Sequence, residues 1–157
     1  YRDSVLRRDS KVACALVQVK MKLPRREPKA IYDEARDYQR QRIGKQPPPA
    51  SAGSFFKNVN DPVLAESLDN LPEGLKKAGV VPAGYLIEKS GLQGTRVGGA
   101  AFARRHANFV VNVGGASATE IRNLADLGKG AVFERFGVTL EEEVLYLGDW
   151  SRYRSRS

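Results

Sequence analysis

Phe109-Val110-Val111-Asn112-Val113 and, after Gly114-Gly115-Ala116, Ser117-Ala118-Thr119-Glu120 decide how this chain is read. The first run is short, apolar and β-branched, which reads as a buried strand. The second is a capping box: a serine whose hydroxyl can take the N–H three residues on, and a glutamate that can reach back to the serine N–H. The helix it opens runs to Phe136, with Ile121, Leu124, Ala125, Leu127, Ala131, Val132 and Phe136 toward the core. Gly137 stands where a left-handed stop belongs.

Working outward, Glu143 to Leu147 reads as a last strand. Upstream, Ala83 to Ser90 reads as a helix closed by Gly91, and Leu71 to Val81 as irregular. Asp61-Pro62 followed by Val63, Leu64 and Leu68 predicts a short helix with Asp61 as N-cap. Pro28 to Arg42 predicts a helix with Pro28 near its first position, Ile31, Ala35 and Tyr38 on one face, and Gly44 as its stop. Pro47-Pro48-Pro49 is an extended connection or linker. Lys11 to Leu23 carries Val12, Cys14, Leu16, Val19 and Met21 and reads as a strand buried on both faces in its middle, ended by Pro24. Strands and helices mix without a βαβ repeat, so the class is α+β, a small mixed or antiparallel sheet with packed helices.

Composition narrows the function. A length of 157 residues allows one domain or one domain plus a fragment, and 41% apolar residues suffice for a core. The one cysteine, Cys14, excludes an internal disulfide and a cysteine-rich zinc site, and no cluster of His, Cys and carboxylate has metal spacing. No apolar run reaches transmembrane length and no signal peptide is visible, so no membrane role is expected. The net charge of +8 raises nucleic-acid binding. The excess lies in Arg7-Arg8, in Lys20 through Lys29 and in a tail from Arg152 expected to be disordered, and elsewhere bases alternate with acids. That distribution argues against nucleic acid and suits a local anionic group such as a diphosphate.

Gly53-Ser54-Phe55-Phe56-Lys57-Asn58 is the stretch richest in chemistry. Gly53 permits a tight turn that presents Ser54 while a phenylalanine anchors the loop. Taken alone, Ser54 is an ordinary loop serine. With no G-x-S-x-G elbow and only the distant His106, it is not the nucleophile of a hydrolase. Gly128-Lys129-Gly130 lies inside a helical pattern and is no dinucleotide fingerprint.

Five blocks in register change the reading: Tyr1-Arg2-Asp3-Ser4-Val5, Gly53 to Asn58, Gly84-Tyr85-Leu86-Ile87-Glu88 with Gly91-Leu92-Gln93-Gly94, Gly98-Gly99-Ala100-Ala101 with His106 to Asn112, and Leu140-Glu141-Glu142-Glu143-Val144. In this order they resemble the C-terminal part of UDP-N-acetylenolpyruvoylglucosamine reductase, from Tyr1 to about Gly148. Ser51 stands where that family often has asparagine, Val59 where proline is usual, and Glu142 where proline is frequent.

The resemblance implies an FAD- and NADPH-dependent oxidoreductase of peptidoglycan precursor synthesis, cytoplasmic and monomeric, reducing UDP-N-acetylglucosamine enolpyruvate to UDP-N-acetylmuramate. It implies that a flavin-binding region precedes Tyr1 and that the chain is inactive alone. Residues 1–46 would be the end of the FAD-binding domain, 47–144 the substrate-binding domain, and 145–157 a returning strand with a basic tail. It implies three catalytic residues. Arg2 would fork onto a carboxylate or enolate oxygen, Ser54 would donate a proton, and Glu143 would be a second acid or hydrogen-bond donor. Lys45 (with Arg42 as the alternative alignment), Asn58 and His106 would bind the nucleotide-sugar. The rival reading, a non-catalytic nucleotide-sugar or nucleic-acid binding module on the same fold, has no need of Arg2, Ser54 and Glu143 together.

Overall fold

The computed structural model describes residues 16–154. The chain falls into two units, Tyr1–Asp37 and Tyr38–Ser157.

In the first unit, residues 16–27 have no regular structure. Leu16, Val17, Val19, Met21 and Leu23 are exposed. The strand expected over Lys11 to Leu23 is therefore absent from its described part, and residues 11–15 lie outside the described residues. The apolar alternation is present, but a strand also needs a neighbour for its N–H and C=O groups. Among the described residues none pairs with it.

Helix α1, Pro28–Lys45, is opened by Glu27, whose Oε2 accepts the Ala30 N–H at 2.8 Å. It runs through Gly44 rather than stopping there, and the Gln46 N–H still donates to the Arg42 carbonyl at 2.8 Å. None of its residues is buried, so Ile31 and Tyr38 do not form a core face. Ion pairs brace its start instead: Arg26 with Glu34 at 2.6 Å and Lys29 with Asp33 at 2.8 Å.

The second unit is α+β. Strands β1 (Ser51–Ser54), β4 (Arg96–Val97), β5 (Ala100–Phe102) and β6 (Phe109–Asn112) form one antiparallel sheet in the order β1-β6-β5-β4. A second, two-stranded sheet pairs β2 (Val59–Asn60) with β3 (Val80–Val81). Helices α2 (Pro62–Ser67), α3 (Glu73–Ala78) and α4 (Ala83–Lys89) lie between β2 and β4 in the chain, and α5 (Ala118–Phe136) follows β6. The Asp61 side chain caps α2, accepting the Leu64 N–H at 2.9 Å. Leu71 to Val81 is more ordered than expected. Lys76 and Lys77 in its last turn and the left-handed Gly79 (φ 63°) complete α3.

Period-two alternation divides the sheet. Phe102 and Val110 join one buried cluster with Leu86 and Ile87 of α4, Leu124, Ala125 and Val132 of α5, and Phe55, Phe56 and Leu140. Ala101, Ala103, Phe109 and Val111 form a second cluster. Strands apolar in both directions explain why 109–111 reads as an unbroken hydrophobic run.

Helix α5 has its predicted ends. The capping box is complete, with Glu120 N–H on Ser117 Oγ at 3.2 Å and Ser117 N–H on Glu120 Oε2 at 2.9 Å, and Gly137 (φ 70°) closes it. Its buried stripe is Leu124, Ala125, Gly128 and Val132. Leu127, expected inside, is 38% exposed. The stripe runs through Gly128 because a Cβ there would sit 2.7 Å from Phe102 Cζ. Glycine costs about 1 kcal/mol in a helix interior and here admits the ring of Phe102.

The strand expected over Glu143 to Leu147 is absent; the one bridge, Phe56 with Glu142, falls just before it. Alternation survives, with Val144 and Tyr146 partly buried and Leu145 and Leu147 exposed. The segment then leaves Phe56 for α5, where Arg122 lies over the rings of Tyr146, Trp150 and Tyr153 at 4.7, 4.8 and 4.1 Å.

Candidate active site

The Gly53–Asn58 stretch ends β1 and is fastened on two sides. On one side, Ser54 pairs with Phe109. The Phe55 N–H then donates to the Asn108 carbonyl at 2.7 Å. The Asn108 side chain, buried among apolar neighbours, takes the Phe56 N–H on Oδ1 at 2.9 Å and gives its own Nδ2–H to the Phe56 carbonyl at 2.9 Å. One amide thereby satisfies both polar groups of a residue that is 1% exposed.

On the other side, the Glu143 N–H donates to the Phe55 carbonyl at 2.8 Å and the Lys57 N–H to the Glu141 carbonyl at 2.8 Å. The residue after Ser54 is thus bonded directly to Glu143. Phe55 and Phe56, edge to face with centroids 5.1 Å apart, root the stretch in the core.

Ser54 is half-buried at the strand end, beside the turn of Gly53 (φ 89°). Among the described residues none hydrogen-bonds its hydroxyl. Glu143 is half-buried, with its Oε2 out of solvent. Lys57 does not serve Ser54: its Nζ pairs with Glu141 Oε2 at 2.8 Å. That hydrogen bond, and the ammonium charge behind it, hold the Glu141 carboxyl below the ordinary carboxylate range.

Asn58 is exposed, and its Oδ1 accepts the Ala83 N–H at 3.4 Å, a long bond at the start of α4. His106 is exposed with its ring 4.7 Å from that of Phe109, and its carbonyl takes the Phe109 N–H at 2.9 Å, making the turn that delivers Asn108. Ser54, Asn58 and Glu143 are therefore gathered along one stretch, with His106 two residues from its clamp. Lys45 is exposed at the end of α1, and among the described residues no hydrogen bond or ion pair ties it to that stretch. Arg2 lies outside the described residues.

Two surface clefts lie elsewhere. One of about 480 Å³ runs between α5 and the C-terminal segment, lined by Asn123, Trp150 and Tyr153 among others. The other, about 440 Å³, opens over Ala101 and Val111 beside Pro47–Pro49, with Arg96, Arg104 and Arg105 around it. Sequence reasoning used Asn108 only as part of a block. A polar residue inside the apolar run 107–111 was the signal that it is spoken for by backbone.

The Gly114–Gly115 turn before α5 has the loop-to-helix form that a pyrophosphate uses. Three of the amides here are engaged: Gly114 and Ala116 N–H donate to Asn112 Oδ1 at 3.1 Å, and Ser117 N–H to Glu120 at 2.9 Å.

These features define the class: an antiparallel α+β domain whose serine loop is clamped between Asn108 and segment 141–143, not a parallel dinucleotide-binding fold. The chain belongs to the UDP-N-acetylenolpyruvoylglucosamine reductase family, whose C-terminal domain matches residues 44–147. The UDP-N-acetylenolpyruvoylglucosamine reductase of Caldicellulosiruptor bescii is 34% identical over 96% of this chain and 42% of its own length. That of Synechococcus sp. (strain JA-3-3Ab) is 38% identical over 82% of this chain and 35% of its length. The crystal structure of UDP-N-acetylenolpyruvylglucosamine reductase (MurB) from Thermus caldophilus matches with a TM-score of 0.51 and 34% identity, covering 78% of this chain and 36% of that one. The chain thus spans less than half the length of the relatives it matches.

Proposed function

We propose that this chain is the substrate-handling part of an FAD-dependent, NADPH-consuming UDP-N-acetylmuramate dehydrogenase. It acts in the cytoplasm, as a monomer, in peptidoglycan precursor synthesis. Its substrate is UDP-N-acetylglucosamine enolpyruvate. The reading is supported by family membership and carried by one observation: the Phe55 carbonyl accepts the Glu143 N–H at 2.8 Å, which sets the main chain of Glu143 against the residue that follows Ser54.

NADPH and FAD, when bound, supply the hydride. Addition of hydride to the terminal carbon of the enolpyruvyl group leaves negative charge on the adjacent carbon and its carboxylate. Ser54 gives its hydroxyl proton to that carbon. A serine is a weak acid, so it suits only a strongly basic carbanion whose proton acceptor is held at hydrogen-bond distance. Glu143 fills the second catalytic role, at the enolate oxygen. Arg2 forks onto the same carboxylate, and its charge is permanent. Lys45, Asn58 and His106 hold the nucleotide-sugar, Lys45 as a mobile point charge for the diphosphate.

Titrating the isotope-labelled chain with UDP-N-acetylglucosamine enolpyruvate tests this. Amide shifts should concentrate at 53–58, 106–108 and 141–143. Shifts confined to the arginine-lined cleft of Arg96, Arg104 and Arg105 would favour the binding module without chemistry.

A further inference from the structure

Glu142 ties the C-terminal segment to α5 through its side chain. Its Oε1 receives Lys129 Nζ from α5 at 2.8 Å and the Tyr146 hydroxyl at 3.2 Å. Lys129 also pairs with Asp126 Oδ1, one turn back, at 3.0 Å. Asp126 Oδ2 accepts the Tyr153 hydroxyl at 2.7 Å, which also lies 2.9 Å from Asn123 Oδ1. Arg122, another turn back, is enclosed by Tyr146, Trp150 and Tyr153. From Glu142 to Tyr153 the C-terminal segment is thus fastened to one face of α5.

The side chains of Lys129 and Glu142 are 29% and 19% exposed, so the pair is screened less than a surface pair. Burial works against the Lys129 charge, but hydrogen bonds to Glu142 and Asp126 outweigh it and raise the ammonium's pKa. Lys129 is therefore charged at neutral pH. Its other end is the main chain of Glu142, which bridges Phe56, with Glu141 and Glu143 bonded to Lys57 and Phe55 on either side. A continuous path runs from α5 through Glu142 to Glu143, and across to Phe55 and Ser54.

We propose that Lys129 and Glu142 are positioning residues: their ion pair sets segment 141–143 in register on 55–57 and so fixes Glu143 relative to Ser54. This rests on the reading of Ser54 and Glu143 given above. A merely structural strap would stabilise the whole unit evenly, whereas a positioning pair acts on the two strands it aligns.

Charge reversal separates the two. Glu142→Lys and Lys129→Glu each break the pair, and the double variant, with all three compared in an Asp126→Asn background so that no second carboxylate faces position 129, restores it with the charges exchanged. Each single variant should raise hydrogen exchange at the Lys57 and Glu143 amides by about tenfold or more while leaving Val110 and Leu124 unchanged. In the flavin-loaded enzyme that contains this chain, each should slow substrate-dependent turnover by about ten- to a hundredfold with little change in KM. The double variant should recover both properties. Should a reversal fail to fold, Glu142→Gln, which keeps the shape and removes the charge, carries the same comparison. Unchanged exchange at Lys57 and Glu143, an even rise at every amide, or no recovery in the double variant would overturn the proposal. Full turnover in Glu143→Gln would instead overturn the catalytic reading and leave the exchange result standing.

Discussion

Asn108 does at one position what a strand partner does along a ladder. Its amide accepts from and donates to Phe56, both at 2.9 Å. Leucine has about the same volume and neither hydrogen-bonding group, so Asn108→Leu would leave a buried N–H and a buried C=O without partners. Each costs about 1–3 kcal/mol, and the variant should lose about 2–4 kcal/mol in a denaturant titration. A loss below about 0.5 kcal/mol would mean that the loop is held by something else. The sequence showed Ser54 as a presented serine because Gly53 and two phenylalanines explain the loop locally. Asn108 was illegible as a clamp because its partner lies 52 residues away. For the same reason the pairing of Lys57 with Glu141, 84 residues on, could not be read.

Among elements, α5 was legible at both ends and the short strands were not. A capping box and a terminal glycine are local chemistry. Strands β1, β4 and β5 have four, two and three residues, too few for a period to show, and they exist because β6 lies in their midst. The strand expected over 143–147 failed for a related reason: its alternation is real, but Arg122 and three rings draw the segment onto α5.

The cap of α5 also ties the helix to the β4–β5 turn. Glu120 Oε2 accepts the Gly99 N–H at 3.4 Å as well as the Ser117 N–H. A Cβ on Gly98 would overlap the Glu120 carboxylate, and one on Gly99 the Gly114 carbonyl oxygen. The Ser117 N–H, then the Gly99 N–H, hold the Glu120 carboxyl below its ordinary 4.5. The unfolded chain therefore binds that proton more readily. The stabilisation is complete above the ordinary value and is lost as pH falls through the lower, folded one. Thermal melts at about pH 6 and about pH 3 should show Glu120→Gln losing less stability on acidification than the parent chain. Equal losses would mean that Glu120 carries no part of the acid response.

At the scale of the whole molecule, the chain is a family C-terminal domain with additional sequence on its N-terminal side, spanning 42% of the Caldicellulosiruptor bescii relative. The α+β class followed from the mixture of elements and the family from five blocks in register. The exposed apolar stretch 16–23 was misread because its pattern specifies a strand without supplying the neighbour a strand requires. The central claim is that Ser54 delivers a proton to the reduced enolpyruvyl group, and rapid kinetics on Ser54→Ala in the flavin-loaded enzyme containing this chain test it most directly. Reduction of the flavin by NADPH involves no proton at the substrate carbon and should proceed at nearly the parent rate. Reoxidation by UDP-N-acetylglucosamine enolpyruvate should slow by about 10²–10⁴-fold, the usual cost of losing a positioned proton donor. Reoxidation at the parent rate, with flavin reduction slowed instead, would contradict the assignment.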